Sequence, residues 1–422
     1  MGDALRELGY ELRQSVDKVS PKTRMGLCVE ADFERDGEAV IDFARAIAGG
    51  GRPFVCYATA LRGAKARTNS SLDCPVGLAL WGYRWLPPDF EICYEFGFEP
   101  RSRRLPVCRM DEAMHILHVA LGADDLFLRV SNDEGLCLEG QGRLEAFARA
   151  EPRMSALKKA MKGTYPRGVQ LLYRHSQDDA LRYPELPTLN EGSDALSCCG
   201  VPFCVTDVPV KMLIGVDAER FSDADLKRLM GRGVLLDGEA AKIICRRGYA
   251  EQIGADVGPD GICNLRRGAE VLVKGRGANF PCPEMYRYKN NRGGRIAVVS
   301  DAIMENTFTL DGICRNRKIV TETFRWLAGD DAPLSIWANV KDASNVMVVV
   351  QTPNQESFML LAVANMGANR LEDVELEIDP WYRDGEIEEL AENGDWRHGT
   401  FLGAYDAGQV RIFRIRKKGL TQ

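Results

Sequence analysis

The chain has 422 residues, which at about 150 residues per domain suggests two or three domains. Apolar residues make up 45% and charged residues 27%, a composition typical of globular proteins that excludes wholesale disorder. The net charge of −6 argues against a nucleic-acid partner, because phosphate backbones are bound by basic surfaces. The sequence has no run of about 18–20 apolar residues and no signal-peptide pattern, so we expect no membrane span and no secretion signal.

The 13 cysteines are scattered from Cys28 to Cys314, and their number is odd. Disulfide frameworks are typical of short secreted chains with an even number of cysteines. We therefore expect reduced thiols in a cytoplasmic protein, most of them buried as small apolar side chains.

The first part of the chain, 1–185, alternates helix-like and strand-like segments. It opens with Leu5, Leu8, Leu12 and Val16, which share one apolar face of a predicted helix. The βαβα order that follows favours a parallel sheet with right-handed crossovers. We predict helices over 2–16, 38–48, 109–121 and 144–161, and strands over 24–30, 54–57, 90–95, 125–130 and 168–173.

The second part, 186–335, keeps this alternation and predicts a flavodoxin-like α/β domain. Ser222 and Asp225 have the spacing of a capping box, with Asp in place of Glu. Gly, Pro, Asn and Arg are frequent over 255–292, which predicts mostly loop with short strands. We predict strands over 201–205, 212–216, 233–237 and 295–300, and helices starting at Ser222, over 239–247 and over 316–327.

The third part, 336–422, loses the helical periodicity and predicts a small all-β sandwich. Turn residues such as Pro353, Asn354 and Gly408 separate its short strands. The predicted strands are 346–351, 358–364, 374–378 and 410–415.

Glu95 is the candidate catalytic residue, because it ends the strand-like run FEICYE. A carboxylate at the carboxyl end of a parallel strand points into the mouth of a (β/α) barrel, where catalytic residues lie. The alternative is an ordinary exposed carboxylate at a strand end. Glu91 and Glu99 are acidic neighbours, and Glu91 can share one face of the strand with Glu95.

Acidic residues also flank the strand predicted over 125–130. Asp124 and Asp125 lie at its start, and Asn132, Asp133 and Glu134 follow it, so the second group could line the same barrel mouth. Ordinary acidic loops are the alternative, and of this group we keep Asn132 as a candidate substrate contact.

Three aromatic residues, Trp81, Tyr83 and Trp85, alternate along the segment WGYRW. Such rings can stack on the faces of sugars. Packing along the edge of a strand or loop is the alternative interpretation.

Two groups of potential metal ligands favour structural roles. His115 and His118 are one helical turn apart, but the sequence places no third ligand, so a pair on a helix surface is favoured over a metal site. Cys198, Cys199 and Cys204 lack the C-x-x-C spacing of zinc and redox sites. We expect no metal and no cofactor.

Nucleotide binding and amidotransferase activity lack their motifs. The segment KGRGANFP at 274–281 is not a P-loop, and no G-x-G-x-x-G follows a strand. A cysteine amidotransferase needs a thiol at a strand–turn–helix elbow and a nearby histidine base. Here Asp237 and Gly238 occupy the elbow, Cys245 lies about two helical turns further on, and 186–335 contains no histidine. This excludes amidotransferase chemistry unless another domain lends a base.

Several segments resemble the family 42 β-galactosidases and their relatives. The run from PFCVTDV to GYAEQIG, 202–254, is similar to their trimerisation domain, which has an amidotransferase-like fold. NNRGGRIAVVS, NRKIVTETFRWL and LLAVANMGANRLEDVELEI resemble the end of that domain and the β-sandwich after it. FEICYEFGFEP and GADDLFLRVSND resemble the last strands of the catalytic barrel.

The resemblance implies the C-terminal part of a (β/α)8 barrel over 1–185, an amidotransferase-like trimerisation domain over 186–335 and a β-sandwich over 336–422. It also implies that Glu95 is the nucleophile at the end of the seventh barrel strand. The family's acid/base residue is usually the Glu of an Asn-Glu pair after the fourth strand. No such pair precedes Glu95, and Asn190-Glu191 lies in the linker after the barrel segment.

Two hypotheses follow from the resemblance. The first is part of a retaining glycoside hydrolase that acts on β-galactosides or related glycans and assembles as a homo-oligomer, most simply a trimer. The second is a non-catalytic or split relative that keeps only the scaffold, because a retaining enzyme needs two carboxyl groups about 5–5.5 Å apart.

Overall fold

The computed structural model divides the chain into two compact units. The first comprises 1–162, 177–184 and 391–395, and the second comprises the rest. Within the part of the chain that is described, no helix is long and apolar enough to cross a bilayer. The described residues are 2–29, 37–58, 86–87, 89–96, 107–128, 142–172, 192, 196, 200–204, 206–258, 261–274, 283–300, 317–329, 337–339, 346–365, 369–378 and 380–417.

The first unit contains four parallel strands, β1 (Leu27–Val29), β2 (Phe54–Ala58), β3 (Glu91–Phe96) and β4 (Asp125–Leu128). They lie side by side in chain order, each paired in parallel with the next. A doubly wound sheet reverses its strand order at a switch point. The four described strands show no such reversal, and we call a sheet with this order singly wound.

The described residues of the first unit form four helices, which pack in two pairs of neighbours in sequence. Helix α1 (Gly2–Val19) packs on α2 (Gly37–Ala48), and α3 (Val107–Leu121) packs on α4 (Arg143–Ala160). The predicted helices are therefore present. Apolar positions along α3 are buried because the helix lies in the interior of the unit.

Helix α1 packs through a face that overlaps only in part with its predicted apolar face, of which Leu5 and Val16 are partly buried. Gly9 and Arg13 are the buried positions. A Cβ at Gly9 would lie only 2.7 Å from the Cβ of Ala46, so this close approach requires glycine. Leu8 and Leu12 of the predicted apolar face remain 46% and 40% exposed.

The second unit contains many short strands and helices. Its strands are β5 (Thr164–Arg167), β6 (Val169–Leu171), β7 (Phe203–Cys204), β8 (Val210–Leu213), β9 (Gly233–Leu236), β10 (Asp256–Gly258), β11 (Gly261–Cys263), β12 (Glu270–Val273), β13 (Met285–Lys289), β14 (Arg295–Val299), β15 (Trp337–Asn339), β16 (Val346–Pro353), β17 (Phe358–Asn365), β18 (Glu375–Glu377), β19 (Glu386–Leu390), β20 (Trp396–His398) and β21 (Val410–Arg416). Its helices are α5 (Asp223–Leu229), α6 (Gly238–Ile244), α7 (Ala250–Ile253), α8 (Arg317–Ala328) and α9 (Pro380–Arg383), with a 3₁₀ segment over Gly215–Arg220 and a π turn over Cys245–Tyr249.

A seven-stranded mixed sheet forms the first half of this unit, in the order β12-β13-β14-β9-β8-β6-β7. Strands β14, β9, β8, β6 and β7 pair in parallel, whereas β13 and β12 are antiparallel. A Cβ at Gly233 in β9 would lie 2.2 Å from the carbonyl oxygen of Leu327, so α8 rests directly on the strand backbone. The segment 255–292 was predicted to be mostly loop with short strands. It contributes β13, which lies between β12 and β14 in this sheet.

At Gly168 the chain leaves a six-stranded antiparallel sheet of the second unit and enters the seven-stranded sheet. Strand β5 pairs antiparallel with β16, and β6, one residue later, pairs in parallel with β7 and β8. Gly168 has φ +140°, and a Cβ there would lie 2.4 Å from the backbone of Pro202, so only glycine fits. The strand predicted over 168–173 thus belongs to the second unit and not to the sheet of the first part.

A six-stranded antiparallel sheet, β20-β19-β21-β17-β16-β5, forms the other half, beside the two-stranded sheet β15-β18. Alternate residues of β16 and β17, such as Val348 and Leu361, pack in one core with Val374 and Leu376 from the β18 segment. The predicted strands of the third part are present, and β5, β19 and β20 join them although the sequence did not predict them.

Candidate functional site

Glu95 lies near the carboxyl end of β3, at the edge of the singly wound sheet. The register places it beside Ala58 of β2 on one side and Phe127 of β4 on the other. Ala58 is the last residue of β2, so these positions share the edge at which the parallel strands end. Sites in sheets with this winding form at that edge, because the loops that follow the strands converge there.

Glu91, the acidic neighbour of Glu95, lies at the opposite end of the same strand. Its carboxylate Oε2 accepts a hydrogen bond from Arg24 Nη2 at 2.7 Å. Residue 91 is the first of β3, and four residues of strand correspond to about 13 Å. Glu91 is therefore an ion-paired residue of the amino-terminal edge and is separated from the site edge.

Asp124 and Asp125 also belong to the amino-terminal edge, since Asp125 begins β4. The Asp124 carboxylate accepts hydrogen bonds from the backbone N–H of Ile92 at 3.2 Å and from Arg52 at 3.5 Å. These contacts fix the start of β4 against β3. Of the acidic residues singled out from the sequence that the structure describes, Glu95 is the one at the carboxyl edge.

Several candidate residues lie outside the described part of the chain. These are Trp81, Tyr83, Trp85, Glu99, Asn132, Asp133, Glu134, Cys198, Cys199 and the pair Asn190-Glu191. Their roles remain predictions from the sequence.

His115 and His118 are buried, which corrects the interpretation of a pair on a helix surface. Their exposed fractions are 1% and 0%, and the His115 ring meets the Phe147 ring edge-on at 5.6 Å between centroids. Burial, reinforced by the nearby His115, lowers the pKa of His118 to about 3. His118 is therefore neutral at physiological pH and is buried within the first unit. Within the described residues, no cluster of His, Cys, Asp and Glu has the arrangement of a metal site.

Cys204 has the environment of a structural thiol. It is fully buried in β7, and burial raises its pKa to about 11 even though Thr206 and Lys211 act in the opposite direction. A thiol with so high a pKa is protonated at neutral pH and is a poor nucleophile.

The elbow after β9 is occupied by a structural carboxylate. Asp237 has φ −85° and ψ 173°, an ordinary extended conformation, and its side chain is completely buried. Its Oδ1 accepts hydrogen bonds from the backbone N–H of Ala240 at 2.8 Å and of Gly215 at 2.9 Å. Asp237 thus caps α6 and anchors the 3₁₀ segment, which is a structural use of the position where an amidotransferase would carry its nucleophile.

The burial of Lys211 was not anticipated from the sequence. Lys211 of β8 donates hydrogen bonds to the Gln170 side chain, to Asp207 Oδ1 at 2.5 Å and to the Val208 carbonyl at 2.8 Å. The hydrogen bond from Lys211 holds the pKa of Asp207 below its usual value. A lysine in a strand resembles any surface lysine in sequence, and no local signal marks its burial.

Comparison with known proteins supports the fold. No family model matches the chain, and no curated protein sequence matches it. Alpha-L-fucosidase isoenzyme 2 from Paenibacillus thiaminolyticus aligns with 98% of this chain and 80% of its own, with a TM-score of 0.56 and 11% identity. The chain therefore has a glycoside-hydrolase-like fold.

Two further structures align less well. They are the apo exo-carrageenase GH42 from Bacteroides ovatus, with 99% of this chain and 55% of its own covered, and the beta-galactosidase from the psychrophilic Marinomonas ef1, with 92% and 68% covered. Both are 11% identical to this chain, and their TM-scores of 0.45 and 0.43 are too low to support an inference.

Proposed function

We propose that this chain is part of a retaining glycoside hydrolase that acts on β-galactosides or related glycans, with Glu95 as its nucleophile. The observation that carries this proposal is the position of Glu95 at the carboxyl edge of a singly wound parallel sheet. The fold shared with a fucosidase supports it. We interpret the sheet as a segment of a (β/α) barrel over 1–185.

The proposed reaction assigns one role to Glu95. A carboxylate oxygen of Glu95 attacks the anomeric carbon while the bond to the leaving oxygen breaks, and that oxygen takes a proton from an acid residue. Water then adds to the anomeric carbon of the glycosyl-enzyme and gives a proton back to the same residue, which releases the sugar and restores Glu95.

No acid/base carboxyl group is assigned within this chain. The sequence has no Asn-Glu pair before Glu95, where the resemblance would place that residue. This observation favours the second candidate function, a non-catalytic or split relative that keeps the carbohydrate-binding scaffold. A split enzyme would obtain its second carboxyl group, about 5–5.5 Å from Glu95, from another polypeptide.

Substrate contacts and assembly complete the proposal. We assign sugar contacts to Trp81, Tyr83, Trp85 and Asn132, since aromatic rings and amide groups are suited to sugar faces and hydroxyl groups. The 186–335 segment, an amidotransferase-like domain without amidotransferase chemistry, would carry contacts between copies, most simply in a trimer. The 336–422 segment would be a β-sandwich, and the odd number of cysteines, 13, favours a reducing cytoplasm.

The test is covalent trapping of the glycosyl-enzyme. The full chain is incubated with a 2-deoxy-2-fluoro-β-galactoside that carries a good leaving group, and a parallel panel of aryl glycosides measures turnover. We expect a glycosyl adduct on the peptide that contains Glu95, because the fluorine slows hydrolysis of the intermediate. Mass spectrometry of the digested protein locates the adduct.

Two variants make the trapping decisive. Glu95→Gln should form no adduct, whereas Glu91→Gln, at the other end of the same strand, should still be labelled. Labelling of a different residue would contradict the assignment of Glu95. If the whole panel gives neither turnover nor adduct while the protein still binds immobilised glycans, the non-catalytic function is correct.

A further inference from the structure

Three cysteines occupy one row across the parallel sheet of the first unit. Cys28 of β1 pairs in register with Cys56 of β2, and Cys56 pairs in register with Cys93 of β3. Since side chains alternate between the two faces along each strand, in-register residues of neighbouring parallel strands lie on the same face of the sheet. All three residues of this cysteine row are thiols, and the row crosses β3 two residues before Glu95.

The first two thiols of the cysteine row are held in register from both sides. One position before them, Leu27 pairs with Val55. One position after them, Val29 pairs with Tyr57. Val29 and Val55 are buried on the opposite face of the sheet, with 6% and 0% of their surfaces exposed. These flanking contacts fix β1 beside β2 and therefore keep the two thiols next to each other.

The spacing of the strands brings neighbouring thiols of the row within reach of a disulfide. Adjacent strands lie about 4.8 Å apart, and the Cα atoms of in-register residues have about the same separation. The Cα atoms of disulfide-bonded cysteines are about 4.4–6.8 Å apart, but their Cβ atoms are only about 3.8 Å apart. Two strands joined in this way have to approach each other locally, and a disulfide formed under such strain is reduced more easily.

Exposure distinguishes the two possible pairs in the cysteine row. Cys28 is exposed, whereas Cys56 and Cys93 are buried, with 7% and 8% of their surfaces exposed. The oxidation of cysteine thiols by small oxidants follows their exposure to solvent. An oxidant therefore reaches the row at Cys28, and the thiol next to it is Cys56.

We propose that Cys28 and Cys56 form an oxidative modification site, which hydrogen peroxide converts into a reversible disulfide. The Cys28 thiolate attacks one oxygen of the peroxide, the O–O bond breaks, and the leaving hydroxide takes up the thiol proton to become water. The Cys56 thiol then attacks the sulfur of the resulting sulfenic acid, the S–O bond breaks, and a second water leaves with the Cys56 proton. Two thiols and one peroxide thus give one disulfide and two waters.

A bond of this kind is compatible with a compartment that keeps other cysteines reduced. Cytosolic disulfides are mostly transient and redox-sensing, and strained disulfides are the labile ones. The cross-link between β1 and β2 would form when peroxide is present and would be reduced again by glutathione. The inference does not rest on the proposed enzymatic function, because neither thiol takes part in the proposed hydrolysis.

Disulfide mapping tests the pairing. The full chain is treated with hydrogen peroxide, the remaining thiols are alkylated, and the digested protein is analysed by mass spectrometry before and after reduction. We expect a pair of peptides joined through Cys28 and Cys56, and this pair should be lost when the oxidised protein is incubated with glutathione. Cys204, which is fully buried in β7, should remain a thiol throughout.

Three serine variants locate the chemistry. Cys56→Ser should lose the disulfide and leave Cys28 as a sulfenic acid, which dimedone traps. Cys28→Ser changes an exposed position and should also lose the disulfide, so the test does not depend on how well the buried variant folds. Cys93→Ser, on the other side of Cys56, is the matched control and should keep the bond. A bond between Cys56 and Cys93 in the native chain, a bond from Cys28 to any other cysteine, or no bond at all would overturn the proposal.

Discussion

Two sheets in this chain, one parallel and one mixed, have an acidic residue at the end of a parallel strand, and the surroundings of the two residues differ. Asp237 directly follows β9, α6 begins at the next residue, and the carboxylate accepts hydrogen bonds from two backbone N–H groups. Glu95 lies in β3, and ten residues separate the end of that strand at Phe96 from the start of α3. The first strand end turns at once into a helix, whereas ten residues follow the second before the next described helix begins.

The comparison shows what a carboxylate at a strand end can be used for. When the helix follows immediately, its orphan N–H groups capture the carboxylate as a cap, and burial leaves no place for a substrate. Sites in α/β folds concentrate in the loops that follow strand ends. An acidic residue at the end of a parallel strand is thus structural in one sheet and a proposed nucleophile in the other.

The largest expected effect is on kcat, which should separate the proposed catalytic role of Glu95 from the structural role of Asp237. In the complete enzyme, Glu95→Gln should lower kcat by about 10³-fold or more, because the amide cannot form the glycosyl-enzyme. Asp237→Asn should leave kcat within about threefold, since asparagine also caps helices well. Steady-state hydrolysis of an aryl glycoside measures both, and equal losses in the two variants would remove the distinction between the sheets.

The second prediction concerns stability at the capped strand end. Asp237→Ala should lower the free energy of unfolding of the second unit by about 2–4 kcal/mol, because two buried N–H groups lose their acceptor. Asp237→Asn should cost less than half of that. Urea unfolding followed by intrinsic fluorescence gives both values. A neutral Asp237→Ala would mean that the cap is not what holds this elbow.

The third prediction contrasts the two units in acid. The folded-state pKa of His118 is lowered to about 3, so the unfolded chain binds a proton near pH 6.5 that the folded chain refuses. Stability is therefore unaffected above pH 6.5 and falls as the pH drops towards 3, at up to about 1.4 kcal/mol per pH unit. Between pH 6.5 and 5 the first unit should lose about 2 kcal/mol.

Thermal unfolding at several pH values tests this contrast. His118→Leu should flatten the pH dependence of the first unit, whatever its effect on stability at pH 7. His398→Gln, in β20 of the second unit, should leave the pH dependence of the first unit unchanged. The 186–335 segment contains no histidine, so its unfolding should respond less over this range. A pH dependence that survives in His118→Leu would contradict the assignment.

The sequence predicts the elements with strong local signals and misses those held by distant partners. The buried strands β9 and β14 and the helix α8 lie within one or two residues of their predicted bounds. In contrast, β5 exists because β16, almost 190 residues later, offers it an edge. A four-residue segment such as TYPR carries no period-2 signal of its own.

At the candidate site, too, the sequence predicts local features and misses contacts with distant residues. The position of Glu95 at a strand end could be inferred from the run FEICYE, whereas the pairing of Glu91 with Arg24, 67 residues away, could not. Burial of His115 and His118 was also missed, because helical spacing is the same on a buried and an exposed helix face. Helix α1 was predicted, but Leu8 and Leu12 of its predicted apolar face remain exposed, because helical spacing alone does not state which face meets α2.

The smallest predicted effect concerns the helix after the 3₁₀ segment, where the sequence signal was local and sufficient. Ser222 caps α5, and its Oγ accepts a hydrogen bond from the backbone N–H of Asp225 at 3.2 Å and donates one to the Asp225 carboxylate at 2.7 Å. Ser222→Ala should cost about 1 kcal/mol of unfolding free energy, whereas Ser222→Asp should cost less than half of that. The cost is smaller than at Asp237 because water reaches this exposed helix end and can replace the lost acceptor. Equal losses at Ser222 and Asp237 would show that burial does not distinguish the two caps.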